Sequence, residues 1–107
     1  MSQPGMITDK MRNHALHFTL EWGPERSKPL LDKMRTIYPE IDETTVNALA
    51  KLCGEVTSFA WRQYEQAFAK SISESQAAGN IKERFPFVSP DNLSHLQTQG
   101  MYYAWHG

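Results

Sequence analysis

Two histidines and a glutamate in the first third of the chain have a spacing that could support metal chemistry. His14, His17 and Glu21 stand at i, i+3 and i+7, which places their side chains on one face of a helix. Imidazole and carboxylate groups form a ligand set that suits zinc, but a site would need a further ligand from elsewhere, such as His95 or His106. We therefore carry a metal-dependent enzyme as a third hypothesis. The alternative is the polar side of an amphipathic helix.

The single cysteine points to packing rather than to catalysis. Cys53 precedes Gly54 within an apolar helical stripe, whereas a reactive thiol needs a helix N-terminus or a neighbouring cation. No serine-nucleophile signature and no phosphate-binding loop is found in the sequence. We therefore predict a protein that is not an enzyme and that has no cofactor and no bound metal. A lone cysteine cannot form an intramolecular disulfide, which favours a reducing compartment, the cytoplasm.

A short basic segment gives the alternative function. It carries Arg26, Lys28, Lys33 and Arg35 and would be the contact surface of a nucleic-acid-binding regulator. Two observations argue against this interpretation. Acidic residues follow at once, and the whole chain has 11 basic and 12 acidic residues, which gives a net charge of −1. An ordinary solvated face also explains the segment, and we expect nucleic acid not to be the partner.

The least ordinary feature is the end of the chain, QGMYYAWHG. No aspartate, glutamate, lysine or arginine follows Asp91, although a solvent-facing helix normally carries charge on one side. These residues either close the core of the monomer or present a binding face, since tyrosine, tryptophan and methionine are enriched at interfaces. The residues predicted to bind a partner are Met101, Tyr102, Tyr103, Trp105, Trp61 and Phe68.

A glycine within this terminal helix needs an explanation. Gly100 costs about 1 kcal/mol in a helix interior relative to alanine. It lies on a stripe with Leu93, Leu96 and Ala104, where small residues four apart allow a neighbouring helix to approach closely. We therefore expect a close helix contact at Gly100.

Helical periodicity and capping residues position all of these side chains. Asp42 and Ser89 are typical N-caps, and Pro90 suits a first helical position. We find no alternating strand pattern, so the predicted fold is all-α, a small bundle with a long third helix. The predicted domains are a flexible tail over 1–5 and a single helical domain over 6–107. The four predicted helices span about 6–22, 27–38, 43–75 and 90–105.

The predicted third helix is long for a chain of this size. At 1.5 Å per residue it would measure about 50 Å, whereas a compact domain of 107 residues has a radius of gyration of about 13 Å. Either the helix breaks, near Gly54 or in the SISES segment, or a partner covers its overhang.

Taken together, the sequence predicts a small protein-protein interaction module. It would be an adaptor, regulator or inhibitor of a larger assembly, of a kind that mobile elements encode. Binding would use the aromatic C-terminal helix and the overhang of the long helix, with another protein or a second copy as the partner. We expect no membrane span, because no stretch of about 18 apolar residues is present. We expect no secretory signal, because the segment MSQPGMITDK has no apolar run.

Overall fold

A computed structural model describes residues 7–21 and 27–106 and confirms an all-α bundle. The described residues contain no strand. The helices are α1 (Asp9–Leu20), α2 (Leu30–Arg35), α3 (Glu43–Phe68), α4 (Glu74–Arg84) and α5 (Pro90–His106). The chain divides into two compact units, Met1–Cys53 and Gly54–Gly107. Within the described ranges, no helix is both long and apolar enough to cross a bilayer.

The helix starts follow local capping. The Thr8 hydroxyl accepts from the amide of Met11 at 3.1 Å, so α1 begins at Asp9 rather than at residue 6. The Asp42 carboxylate accepts from the amide of Thr45 at 2.7 Å and starts α3 as predicted. Hydrogen bonds from Thr45 lower the pKa of Asp42.

The second helix is shorter than the predicted span of 27–38. It starts after Pro29, which is the N-cap and has no side-chain hydrogen bond, rather than at Ser27. It ends at Arg35, and the amides of Thr36 and Ile37 then bond to the carbonyls three residues back, at Lys33 and Met34. The first helix ends at Leu20, two residues before the predicted end at Trp22, because its C-cap Glu21 is extended; Trp22 itself lies outside the described residues.

The predicted third helix, 43–75, is two helices in the structure. The chain leaves α3 after Phe68, and Lys70 adopts a left-handed conformation with φ of 65°. Ser73 then caps α4 through a reciprocal capping box with Gln76. The break therefore falls in the SISES segment and not at Gly54, which lies inside α3. The overhang was predicted for an unbroken helix over 43–75, and that unbroken helix does not form.

Gly79 and Asn80 are residue types that commonly follow the end of a helix. Both residues lie within α4, which continues to Arg84 and ends where the Phe85 amide bonds to the carbonyl of Ile81. Glycine costs helix stability but does not end a helix whose neighbours are packed, and Ala77 and Ile81 are fully buried.

Each unit has its own buried residues. In the first unit, α1 packs on α2, and the buried side chains on these helices include Leu16, Leu20 and Met34. In the second unit, α4 packs on α5. The buried stripe of α3 follows the helical period and includes Cys53, as the sequence predicted; its members are Val46, Leu49, Cys53, Val56, Ala60, Tyr64 and Ala67.

Candidate protein-interaction surface on α5

The start of α5 is fixed by the connection that precedes it. The Lys82 ammonium donates to the carbonyls of Pro86 at 2.7 Å and Val88 at 2.6 Å. The Ser89 hydroxyl accepts from the Asn92 amide at 3.2 Å, so Ser89 is the N-cap of α5, as predicted. Both ties are local, so the direction in which α5 leaves the connection is set within a few residues.

The close helix contact expected at Gly100 is present. An ideal Cβ built on Gly100 would lie 2.6 Å from Cδ2 and 3.0 Å from Cβ of Tyr64, so no other residue fits without a shift. Tyr64, on α3, is fully buried. This contact fixes the rotation of α5, because it turns the Gly100 side of the helix towards Tyr64 and the side opposite it away from Tyr64.

The side chains on the outer part of α5 are aromatic and exposed. Trp105 is 69% exposed, Tyr102 46% and Tyr103 38%, and the imidazole of His106 is exposed beside them. We call these four residues the aromatic surface. They are not part of the monomer core, which answers one question that the sequence left open.

Ring contacts hold the aromatic surface together. The Tyr103 ring packs edge-on against Trp61 of α3, with ring centroids 5.4 Å apart. The Tyr102 and His106 rings lie 4.2 Å apart, and those of Trp105 and His106 lie 4.6 Å apart. The surface is therefore anchored at one edge and exposed at the other.

The remaining predicted partner residues lie around it in different ways. Trp61 and Met101 are half-buried, whereas Phe68 is exposed at the last position of α3. Sequence reasoning did not include His106 in the binding face, although its place one turn after Tyr102 was a usable signal.

The basic segment is largely engaged within the chain. The Lys33 side chain is only 7% exposed, and its ammonium lies 3.2 Å from the Glu21 carboxylate and 3.4 Å from the Phe18 carbonyl. The Arg35 guanidinium donates two bonds of 3.3 Å to the carbonyl of Ile41. Lys28 is exposed, and Arg26 lies outside the described residues.

The three residues considered for a metal have other neighbours. His14 Nδ1 lies 2.8 Å from the Tyr38 hydroxyl, His17 stacks edge-on with Phe18, and Glu21 pairs with Lys33. The described residues contain no group of three or more histidine, cysteine or acidic side chains that could hold a metal ion.

Cys53 is buried, as its place in the stripe predicted. Burial raises the pKa of its thiol to about 11, and a hydrogen bond involving Thr19 offsets part of this rise. At neutral pH the sulfur is therefore protonated and unreactive as a nucleophile.

Comparison with protein-family models, curated proteins and solved structures finds no match for this chain. The function is therefore inferred from the chemistry and geometry of its own residues.

Proposed function

We propose that this chain is a small, non-catalytic protein-interaction module that acts as an adaptor, regulator or inhibitor of a larger assembly. It binds through the aromatic surface of α5. The observation that carries the proposal is the exposure of Tyr102 and Trp105 on a helix whose other side is buried at Leu96, Gln99 and Gly100.

Exposed aromatic side chains of this kind contribute little to the stability of the fold and are well suited to binding a partner. Tyrosine and tryptophan lose little conformational entropy when they are immobilised, and they dominate the binding energy of many interfaces. The contact of Tyr103 with Trp61 and the close approach at Gly100 hold the surface in place before binding. Such preorganisation lowers the entropic cost of association.

The charge pattern indicates the kind of partner surface. Between Asp91 and the end of the chain there is no aspartate, glutamate, lysine or arginine. A charged partner surface would lose its hydration against α5 without gaining a counter-charge. The partner surface is therefore apolar or neutral at its centre.

The other two hypotheses receive less support from the geometry. A nucleic-acid reader needs free cationic side chains, whereas Lys33 and Arg35 are engaged by Glu21 and by the Ile41 carbonyl. For a metal-dependent enzyme, His14 and Glu21 would have to leave their present neighbours. A cytoplasmic location and a mobile-element origin remain part of the proposal on sequence grounds.

The test is a comparison of three forms of the chain as bait in lysate of the native host. They are the wild type, the double variant Tyr102→Ala/Trp105→Ala, and Ile37→Ala, which removes an exposed apolar side chain of the first unit. We expect the wild type and Ile37→Ala to retain the same protein. The double variant should lose it by at least about tenfold while keeping its helical circular dichroism.

Two readouts decide the outcome. Retention by the double variant at the wild-type level would refute the aromatic surface as the binding site. Raising the salt from about 50 to 200 mM should change the captured amount little, whereas a complex with nucleic acid would weaken steeply over that range.

A further inference from the structure

The exposed side of α5 has a regular spacing along its whole length. The exposed residues Asp91, Ser94, Thr98, Tyr102 and Trp105 follow one another at intervals of three, four, four and three. Residues at such intervals lie on one side of a helix. We call this set the exposed stripe; it continues the aromatic surface towards the start of the helix.

The spacing of the exposed stripe is symmetric about Thr98, but the side chains before Thr98 and after it differ in size. Ser94 and Tyr102 are each four residues from Thr98, and Asp91 and Trp105 are each seven residues from it. The side before Thr98 carries small polar residues, and the side after it carries large aromatic rings. Two such helices laid antiparallel would place the rings of each against the small side chains of the other.

We propose that α5 is the interface of a homodimer, in which the stripes of two copies pair antiparallel about a two-fold axis at Thr98. This inference rests on the proposed function, and it names a second copy of this chain as one protein that the aromatic surface binds. Tyr102 of each copy packs over Ser94 of the other, and the two Thr98 side chains meet at the axis. Such a contact is isologous, because the same residues serve both copies.

The electrostatics of the stripe agree with a second copy. Antiparallel helices oppose their dipoles favourably, and the neutral stretch after Asp91 leaves no like charges facing each other across the axis. At each end, the Asp91 carboxylate of one copy lies beside Trp105 and His106 of the other. The indole N–H is a hydrogen-bond donor for which that carboxylate is an acceptor.

The length of the stripe limits the strength of the dimer. Asp91 and Trp105 are fourteen residues apart, so the contact is about 21 Å long and one helix wide. Stable interfaces bury about 800 Å² on each partner, and smaller ones are weak or transient. We therefore expect a dissociation constant on the order of ten micromolar or weaker.

Charge substitutions at the axis test the pairing without removing any aromatic ring. Thr98→Glu and Thr98→Lys each place two like charges opposite one another, so each variant should be monomeric in sedimentation velocity up to about 1 mM chain. An equimolar mixture of the two variants should recover a dimer, because the charges at the axis are then opposite. Thr44→Glu, the same substitution at an exposed position of α3, should dimerise like the wild type.

Each outcome decides the proposal. A wild type that stays monomeric over the whole range overturns it, as does a wild-type dimer that Thr98→Glu leaves intact or a mixture that fails to pair. Circular dichroism should show that both Thr98 variants stay helical. A monomeric wild type whose captured protein is lost on Tyr102→Ala/Trp105→Ala would refute the homodimer and leave the proposed function standing.

Discussion

Two groups of aromatic rings, each in contact with α3 at positions two residues apart, differ in their exposure to solvent. Phe59 joins Phe85 and Phe87, which we call the phenylalanine cluster, whereas Trp61, two residues on, contacts Tyr103 of the aromatic surface. Two residues along a helix turn the side chain by about 200°, so the groups lie on different sides of α3. Phe85 is 8% exposed and Trp105 is 69% exposed.

The difference shows that aromatic content alone does not decide burial. Phe85 is the C-cap of α4, where the chain turns, and the Lys82 ammonium holds this turn by donating to the carbonyls of Pro86 and Val88. The Arg84 guanidinium lies over the rings of Phe59 and Phe85, 5.3 and 5.6 Å from their centroids. On α5, rings at successive positions point around the helix, and one contact with α3 cannot cover all of them.

The largest expected effect is the difference in lost stability between removing a ring of the phenylalanine cluster and removing a ring of the aromatic surface. Phe85→Ala should lower the free energy of unfolding by about 3–5 kcal/mol, because it leaves a cavity among buried residues. Trp105→Ala should cost less than about 1 kcal/mol, because most of its side chain is already in water. Urea unfolding of both variants checks the contrast, and equal losses would show that the two groups are packed alike.

The second prediction compares a glycine of α5, which carries the aromatic surface, with a glycine of α4, which precedes the phenylalanine cluster. Gly100→Ala should destabilise the chain by about 1–3 kcal/mol, because its Cβ would press on the rigid root of the Tyr64 side chain. Gly79→Ala, inside α4, meets no atom within 4 Å and should stabilise by about 0.5–1 kcal/mol. Thermal unfolding measures both shifts. The same sign for both would mean that Tyr64 can move away from α5.

The third prediction concerns the turn that closes the phenylalanine cluster. Lys82→Met keeps the aliphatic stem but removes the bonds to the carbonyls of Pro86 and Val88, at a cost of about 1–2 kcal/mol. The Val88 amide, which bonds to the Phe85 carbonyl, should exchange its hydrogen faster. Lys51→Met, on an exposed position of α3, is the control and should change neither quantity.

The smallest effect is expected at Tyr64, the tyrosine that Gly100 approaches closely. Tyr64 is fully buried, and its hydroxyl has no hydrogen-bond partner among the described residues, so Tyr64→Phe should be neutral or stabilising by about 1 kcal/mol. A loss greater than that would reveal a partner for the hydroxyl.

The same tyrosine makes stability depend on pH in the alkaline range. Burial, with a smaller contribution from the charge of Glu74, raises the pKa of Tyr64 to about 12, against about 10 in an unfolded chain. Between these values the unfolded state has lost the proton that the folded state keeps, so stability should fall as pH rises from about 10 to 12. Chemical unfolding across that range should show a shallower fall in Tyr64→Phe, and an unchanged slope would contradict the assignment.

Much of the fold was predictable because it depends on local interactions. The caps at Asp42 and Ser89 are bonds to amides three residues away. The α3 stripe follows from the helical period, and its members from Val46 to Ala67 are all buried. Ser71, the next residue four positions along, is exposed, because the helix has ended before it.

The break after Phe68 was harder to place, because no proline or glycine marks it. Lys70 takes a left-handed conformation that usually favours glycine, and Ser73 competes for the next helix start through its capping box. On α1, Met11 and Phe18 are half-buried, whereas Leu16 and Leu20 are buried. Two overlapping apolar stripes leave this choice to the neighbouring helix.

The sequence by itself determined that the chain is helical, that helices begin at Glu43 and Pro90, and that the last helix carries aromatic rings without fixed charge. These properties depend on side chains within one or two turns of each other. Only the tertiary structure decided which of those rings are exposed. That choice depends on the close approach of Tyr64 to Gly100 and of Trp61 to Tyr103, contacts between residues more than thirty positions apart.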